Sequence, residues 1–301
     1  MTLKTETKKK AFFFMIICVL FWGFSFISIK VSMQALKPMT LGALRFSIAV
    51  VCLYIMKLIN DMRLTQRGEA KETLSFKDLP LLILTSITGV SLYFYFENNG
   101  VDLTGASEAS IIIGFIPVLS MLCDVILLKT NIAPRQWIGT AFSVSGVIMV
   151  SGISISLSGN PLGYVFMICS VICWVVYGFL TRPLFTRRSQ IYVIFWQNFF
   201  GLAGLCLFAV FEKNSWMLVD GVIIGHVLFL AVFCSALCYM LYAYALDVLG
   251  VSVTSLFINC TPVITAVASF FVLKERLTLL QWIGAFFVMG GVTAASWPRS
   301  R

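Results

Sequence analysis

The stretch KTNIAPRQWIGTAFSVSG (residues 129–146) recurs as KERLTLLQWIGAFFVMGG (residues 274–291), and this repetition decides how the chain folds. The letters QWIG occupy matching positions in the two stretches, 145 residues apart. The same offset holds without a gap from Asp102 to Ser151 of the earlier copy. A repeat of this length predicts two structurally related halves.

The composition indicates which solvent the halves are built for. Of the 301 residues, 59% are hydrophobic and 12% are charged, and the mean hydropathy is +0.96. An ordinary soluble domain carries about 25% charged residues. One helical crossing of a bilayer takes about 20 apolar residues, so a multi-pass membrane protein with short loops and no separate catalytic domain is predicted. Ten such runs can be placed, at approximately 11–30, 39–58, 79–98, 105–128, 135–153, 162–181, 190–210, 223–245, 251–273 and 279–297.

The net charge of +9 follows the topology of these runs. With the N-terminus in the cytoplasm, sixteen Lys and Arg residues fall on inside segments and five on outside segments. Such a positive-inside distribution predicts that both termini are cytoplasmic. The expected location is the cytoplasmic (inner) membrane, the lipid bilayer is the expected surrounding, and nucleic acid is not an expected partner.

Ten runs in two copies place five in each half, residues 1–153 and 154–301. Because five is odd, the first half enters the membrane from the cytoplasm and the second from outside. The predicted fold is therefore all-α, with ten transmembrane helices arranged as two inverted five-helix repeats. Inverted repeats are typical of secondary transporters, whose substrate site lies near the bilayer midplane between the halves.

Pro117 and Pro262 occupy equivalent positions near the middle of the fourth and ninth runs. A proline inside a helix removes one backbone donor and crowds the carbonyl one turn earlier. Both residues are therefore candidate helix breaks. The break is either a kink satisfied by a neighbouring helix or part of a pair of broken helices that line a central cavity.

Several stretches resemble a known family. FWGFSF (21–26), LGALRFSI (41–48) and TPVITAVASFFVLKERLTLLQWIGAFFVMGGVTAA (261–295) are similar to the EamA-type branch of the drug/metabolite transporter superfamily. The first half departs from the family pattern, since Thr130 stands where Glu275 stands in the second. The resemblance implies alternating access without ATP, commonly for export of amino acids, metabolites or drugs.

Three ionisable residues fall at similar depth in the first half, namely Arg45, Glu97 and Glu108. Charge inside a membrane is costly, so such residues are functional candidates. One interpretation is an ion pair between Arg45 and a glutamate. In another, Glu97 or Glu108 accepts a proton or binds a substrate ammonium group, with Arg45 tuning the pKa or holding a carboxylate. In a third, the glutamates lie at the wet interface.

Uncharged polar and aromatic residues complete the candidate site. Asn259 lies one turn before Pro262 and is either a contact between helices or a substrate ligand. By analogy with the family, the first, third, sixth and eighth runs surround a cavity, and their aromatic residues suit a flat or cationic amphiphile. Each of these residues can also serve packing alone. They are Trp22, Tyr93, Tyr95, Trp174, Tyr177, Tyr239 and Tyr242.

Other classes of protein lack support in the residues. There is one histidine, no HExxH or paired aspartates, and no GxxxxGK[ST] motif, so neither an enzyme nor an ATP-driven pump is expected. The nine cysteines show no metal-ligand spacing, and no metal or cofactor is predicted. The glycines at 139, 146, 284 and 291 predict close helix contacts, within the chain or in a homodimer.

The function predicted is secondary active transport of a small organic solute by alternating access. The solute class is an amino acid, a related metabolite or an amphiphilic drug, and the predicted direction is export. Protons are the candidate coupling ion. The alternative is a gradient-driven facilitator or exchanger, or a small-molecule channel, without proton coupling.

Overall fold

The computed structural model describes residues 2–104, 106–151, 160–272 and 278–296. Every regular element within these ranges is helical, as predicted, and none of them is a β-strand. In the same ranges, nine helices are at least 18 residues long and apolar enough to cross a membrane. These are Glu6–Ser32, Pro38–Gln66, Leu79–Thr104, Ile111–Leu128, Pro161–Phe185, Gln190–Ala209, Gly221–Leu249, Val251–Ala268 and Leu279–Ser296.

Several of these long helices are composed of shorter elements. Two π-helical segments, Ile87–Leu92 and Leu230–Leu237, continue α3 into α4 and α10 into α11 without a loop. The α-helices are α1 (Thr2–Ser32), α2 (Pro38–Gln66), α3 (Leu79–Ser86), α4 (Tyr93–Thr104), α5 (Ala106–Ile113), α6 (Ile116–Leu128), α7 (Pro134–Val150), α8 (Pro161–Phe185), α9 (Gln190–Ala209), α10 (Gly221–Phe229), α11 (Cys238–Leu249), α12 (Val251–Ile258), α13 (Cys260–Val272) and α14 (Leu279–Ser296).

The run predicted at 135–153 corresponds to α7, which has 17 residues. At 1.5 Å per residue this helix is about 26 Å long, slightly less than the roughly 30 Å of a hydrocarbon core. With 17 residues, α7 is therefore just too short to be among the nine helices given above. The last two residues of the predicted run, 152–153, lie outside the described ranges.

Two of the predicted runs are shorter than the helices that contain them. The first run was placed at 11–30, but α1 begins at Thr2, and α2 continues to Gln66 instead of ending near 58. Both extensions are polar, because a helix needs apolar side chains only inside the hydrocarbon. α2 ends just before Gly68, whose φ of 73° is the left-handed conformation that commonly follows a helix.

Glycine allows α7 and α14 to pack backbone against backbone. A Cβ atom added at Gly139 would lie 2.6 Å from the carbonyl oxygen of Gly291, and one added at Gly146 would lie 2.6 Å from that of Gly284. The four glycines predicted to form close contacts therefore pair within the chain. Interfaces of small residues are a common way to join helices in a membrane.

α2 and α9 form a second intimate pair and run in opposite directions. Gly42, near the start of α2, lies against Leu205, near the end of α9. Further along, Tyr54 of α2 meets Phe195 of α9, with ring centroids 5.7 Å apart. The beginning of each helix is thus beside the end of the other.

Substitutions at two neighbouring glycines of α14 test its packing against α7. The variant Gly291→Ala places a methyl group 2.6 Å from the Ser143 nitrogen, whereas the site of Gly290→Ala is open space. Overpacking costs about 1–3 kcal/mol. We expect Gly291→Ala to lower the thermal unfolding midpoint of the detergent-solubilised protein by several degrees and Gly290→Ala to leave it unchanged. Equal midpoints would contradict the close contact.

Candidate functional site

Aromatic rings from four helices meet inside the protein. Trp174 of α8 is at their centre, with its ring centroid 4.8 Å from Tyr93, 5.4 Å from Tyr242 and 5.5 Å from Tyr177. Trp22 of α1 contacts Trp174 edge to face at 6.2 Å. Tyr239 joins the same buried core. The central aromatic cluster consists of Trp22, Tyr93, Trp174, Tyr177, Tyr239 and Tyr242.

The cluster contains six of the seven aromatic residues suggested by the sequence. Tyr95 is the exception, since its ring packs against Phe208 at 4.6 Å and Phe166 at 6.0 Å. Residues two positions apart on a helix point in different directions. Tyr95 is two residues beyond Tyr93 and therefore does not face the cluster. Two residues that the sequence analysis missed, Phe46 and Phe94, link the cluster to Arg45.

Three polar atoms of the cluster are buried without a hydrogen-bond partner among the described residues. They are the Trp174 indole nitrogen and the hydroxyl oxygens of Tyr239 and Tyr242, although the Tyr242 hydroxyl lies close to Trp174 and Thr254. The three side chains are at most 5% exposed. A buried polar group without a partner costs about 1–3 kcal/mol, and most buried polar groups in native proteins have a partner. The cluster therefore has free hydrogen-bonding capacity for a ligand or for water.

The cluster residue Tyr177 is already satisfied. Its hydroxyl donates to Oε1 of Gln197 over 3.3 Å, and Nε2 of Gln197 donates to the Thr181 hydroxyl over 2.9 Å. Gly89 makes room for the ring, since a Cβ there would lie within 3 Å of Tyr177 ring atoms. Tyr177 therefore positions α8 against α9 and the first π-helical segment.

Glu97 brings a carboxylate to the edge of the cluster. The Tyr93 hydroxyl, one turn earlier on α4, donates to Glu97 Oε1 over 2.7 Å. Glu97 itself is half-buried. One carboxylate oxygen is thus held by Tyr93, while the carboxylate retains acceptor capacity for an ammonium group or a proton.

Arg45 is buried between aromatic planes and the second π-helical segment. Its guanidinium carbon lies 5.2 Å from the Phe94 ring centroid and 5.5 Å from that of Phe46. Its Nε atom donates to the Ser235 hydroxyl over 2.8 Å. Stacking on aromatic faces and this hydrogen bond hold the cation in place although the side chain is only 6% exposed.

The ion pairs in the structure bear on the interpretation that Arg45 pairs with a glutamate. Within the described ranges, ion pairs join Lys57 to Asp61 and Arg188 to Asp78, and none joins Arg45 to Glu97. Each of the two side chains is instead held by a neutral hydroxyl group. Glu108 lies on α5, but its side chain is outside the part of the chain that the structure describes.

A small cavity lies against Arg45, away from the cluster centre. Its volume is about 10 Å³, roughly one water molecule. Arg45, Phe94 and Asn98 contribute to its wall, together with Pro38 and Gly42 near the start of α2. The guanidinium thus borders a space that can hold a water molecule, on the side where α2 begins.

The two π-helical segments shape the site, and the sequence does not predict them. The first ends at Leu92 and the second at Leu237, which are 145 residues apart. The second segment presents Ser235 to Arg45, and its Cys234 carbonyl accepts a hydrogen bond from the Trp22 indole over 3.1 Å. π-helical turns are frequent at functional sites. The repeat implies that a π-helical turn in one copy has an equivalent in the other, but no residue pattern predicts either turn.

The two prolines accompany interrupted helices. Gly114 and Phe115 separate α5 from α6, and Asn259 separates α12 from α13. Each break comes three residues before the corresponding proline, Pro117 or Pro262. Pro117 occupies one of the first two positions of α6, where its missing N–H leaves no bond unmade.

Asn259 joins the two interrupted helices. Its Nδ2 atom donates to the Gly114 carbonyl over 3.2 Å and to the Ser143 hydroxyl over 3.0 Å. The side chain is 1% exposed, and Oδ1 has no partner among the described residues. The amide therefore connects helices, and Oδ1 is the atom left for the substrate contact proposed from the sequence.

Within the described ranges, no group of three or more His, Cys, Asp or Glu side chains could hold a metal ion. The described groups in and beside the cluster are aromatic faces, neutral hydrogen-bonding groups, the Glu97 carboxylate and the Arg45 guanidinium. They can bind an organic molecule by stacking, cation–π contact and hydrogen bonds.

The fold is that of a multi-pass integral membrane protein with a buried cluster of aromatic residues. The sequence model of the EamA-like transporter family matches residues 9–152 and again residues 161–297. The chain belongs to this family, which confirms the resemblance found in the sequence. Transport across a membrane is thus its general function.

Curated relatives match over nearly the whole chain. An uncharacterized transporter of Archaeoglobus fulgidus is 26% identical over 275 residues, which cover 91% of this chain and 94% of the relative. The transporter YyaM of Bacillus subtilis is also 26% identical, over 92% of this chain and 90% of its own length. A probable terminal-alkyne amino-acid exporter of Streptantibioticus cattleyicolor is 24% identical, covering 94% and 92%.

A solved crystal structure has the same fold. Its TM-score is 0.71 at 19% sequence identity, and the alignment covers 95% of this chain and 96% of the other. At this identity the likeness concerns the fold alone.

The role of Asn259 can be tested with Asn99 as a matched control. Removing the Asn259 amide leaves the Gly114 carbonyl and the Ser143 hydroxyl unpaired, whereas Asn99 donates to Tyr95 of its own helix. We expect Asn259→Ala to lower the unfolding midpoint, for a loss of about 1–3 kcal/mol, and Asn99→Ala to have a smaller effect. An unchanged midpoint with weakened substrate binding would instead make Asn259 mainly a ligand.

Proposed function

We propose that the chain is a secondary active transporter with ten transmembrane helices in two inverted five-helix repeats, residues 1–153 and 154–301. Both termini face the cytoplasm in this arrangement. The family model that matches the chain twice supports the division. Further support comes from π-helical segments and helix breaks at equivalent positions, because local distortions recur in structures related by a repeat.

Alternating access is the mechanism that this architecture favours. In inverted-repeat transporters, substrate binds between the halves near the midplane, and the protein opens to one side at a time. The observation that carries the proposal is the central aromatic cluster with its three unpartnered polar atoms. They lie on α8 and α11, while Trp22 and Tyr93 of the first half cover them.

The chemistry of the cluster favours a substrate with an amino group and a hydrogen-bond acceptor. An indole N–H can only donate, so the Trp174 nitrogen suits an acceptor on the substrate such as a carboxylate oxygen. Glu97 and the aromatic faces favour an ammonium group. We therefore propose an amino acid or related metabolite. The relative named as a probable amino-acid exporter supports this class and, in direction, export across the cytoplasmic membrane.

Transport here involves no chemical conversion, and we propose that the protein is not an enzyme. Two modes of energy use remain. In one, Glu97 or Glu108 exchanges a proton as substrate moves, with Arg45 as the neighbouring cation. In the other, the protein is a facilitator or exchanger driven by the substrate gradient, and the glutamate has only a structural or binding role.

Uptake into liposomes tests the function and separates these two modes. The purified protein is reconstituted, and radiolabelled amino acids and organic cations are screened with and without an imposed pH gradient. Accelerated uptake of one solute under the gradient is expected, and Glu97→Gln should abolish the acceleration because an amide cannot exchange a proton at neutral pH. Gradient-independent counterflow in both proteins would favour the exchanger. No uptake of any solute would contradict the proposal.

Analogues of one substrate test which groups are recognised. Phenylalanine, phenylalaninamide and N-acetylphenylalanine differ in whether carboxylate and ammonium are present, and competition with the transported solute reports their affinity. Phenylalanine should compete best. Trp174→Phe should weaken its competition about tenfold, as expected for the loss of a hydrogen bond to a charged group, and leave the amide less affected.

Trp196 provides the matched control for this substitution. Its indole nitrogen is also buried without a partner among the described residues, but the ring packs against Phe199 and Phe200, away from the cluster. Trp196→Phe should therefore leave all three competition constants unchanged. Equal effects of the two substitutions would show that Trp174 has no special contact with the carboxylate.

A further inference from the structure

The outer loop after α9 holds the start of α2. Glu212 accepts hydrogen bonds from the backbone nitrogens of Met39 and Thr40, over 3.0 and 2.7 Å, and from the Thr40 hydroxyl over 2.9 Å. Asn214 of the same loop accepts from the Lys37 nitrogen over 2.7 Å. Lys37, the residue that precedes α2, supplies no side-chain cap of its own. The cap of α2 therefore comes from the other half of the chain.

The loop after α2 holds the residue that caps the start of α9. Glu72 accepts hydrogen bonds from the backbone nitrogen of Ser189, over 3.0 Å, and from its hydroxyl group. Ser189 is the residue that caps α9. Asp78, at the end of the loop, forms an ion pair of 2.7 Å with Arg188. This second contact again joins a loop of one half to a helix start of the other.

Both contacts combine the strongest polar interactions available at a helix terminus. A carboxylate that accepts backbone N–H bonds forms charge-assisted hydrogen bonds. It also lies at the positive end of the helix dipole. α8, α9 and α10 are each capped by the residue that directly precedes them, Asn160, Ser189 and Asp220. At α2 a distant carboxylate takes the place of the cap, and at α9 a distant carboxylate holds the capping residue itself.

The antiparallel packing of α2 and α9 puts the two caps at opposite ends of one helix pair. The start of each helix lies beside the end of the other, as the contact of Gly42 with Leu205 shows. A relative tilt of the two helices would lengthen the contacts at one end and preserve those at the other. Both caps are formed in the present structure, so neither end of the pair is open.

We propose that Glu72 and Glu212 are reciprocal latches, one at each membrane face, whose relative strengths set the balance between the two access states. The proposal rests on the alternating access inferred above. Breaking the Glu212 latch favours separation of α2 and α9 at the outer end, and breaking the Glu72 latch favours separation at the cytoplasmic end. Both glutamates are positioning residues and do not contact the substrate.

Hydrogen exchange followed by mass spectrometry tests the latches without any substrate. The variants Glu72→Gln and Glu212→Gln keep the size of the side chain, but they remove its charge and replace one acceptor oxygen by a donor. Local exchange will rise next to either substitution whatever its role. The informative amides are therefore at the opposite face, about 30 Å away across the hydrocarbon core.

For Glu212→Gln we expect exchange at Tyr192 and Val193, in the first turn of α9, to slow about tenfold, because the cytoplasmic end stays closed for longer. For Glu72→Gln we expect the amides of Thr40 and Leu41 to slow by a similar factor. The double variant should return both regions towards wild-type rates. A purely local cap would change only the amides beside each substitution, and that result would overturn the proposal.

Two controls separate general destabilisation from a shift in access. Asp220→Ala removes a carboxylate cap within one half, where Asp220 accepts from Ile223 over 2.9 Å. Glu69→Gln changes an exposed glutamate in the cytoplasmic loop. Neither should slow exchange at the far face, and slowing in either variant would count against the latches.

The uptake assay distinguishes this proposal from the function on which it rests. If wild-type protein transports substrate but no variant shows the reciprocal change in exchange, the latch idea is wrong and the transport function stands. If exchange changes reciprocally but no solute is carried, the two glutamates control a two-state motion and the proposed transport is wrong.

Discussion

The hydrocarbon core offers no partners for backbone polar groups, and this constraint governs the structure. Any backbone group freed from a regular helix must find a partner within the protein. The π-helical carbonyl of Cys234 is met by the Trp22 indole, and the Gly114 carbonyl at the break before α6 is met by Asn259. Irregular backbone therefore occurs where side chains of other helices satisfy it. The two π-helical segments among these places lie against the central aromatic cluster.

The same constraint gives the unpartnered atoms of the cluster their significance. The protein satisfies Tyr177, Arg45 and the Cys234 carbonyl with neighbouring groups, yet Trp174 and Tyr239 keep hydrogen-bonding capacity where α8 and α11 meet α1 and α4. Leaving such groups bare in an apolar interior costs stability. In the proposed binding site, a ligand that hydrogen-bonds to these groups restores the lost stability when it enters.

Different pairs of helices are joined by different forces. α7 and α14 meet through glycine backbones over their length and leave little freedom for relative motion. α2 and α9 meet through larger side chains, with polar caps only at their ends. Close backbone packing suits a fixed scaffold, whereas side-chain packing along the helices with polar contacts at the two ends suits a pair that can tilt. The positions of the glycines in α7 and α14, and of the glutamates in the loops after α2 and α9, account for this difference.

The sequence by itself determined the membrane environment, the family and the identity of most residues in the cluster. It could do so because apolar run length, charge distribution and repeats are written along the chain and depend little on packing. It did not determine the π-helical segments, the hydroxyl partner of Arg45 or the contacts of Glu72 and Glu212 with distant helix starts. The contacts of Arg45, Glu72 and Glu212 join residues more than 100 positions apart, such as Arg45 and Ser235. Only the tertiary structure could decide them, because the orientation of each side chain depends on which helices pack together and at what register.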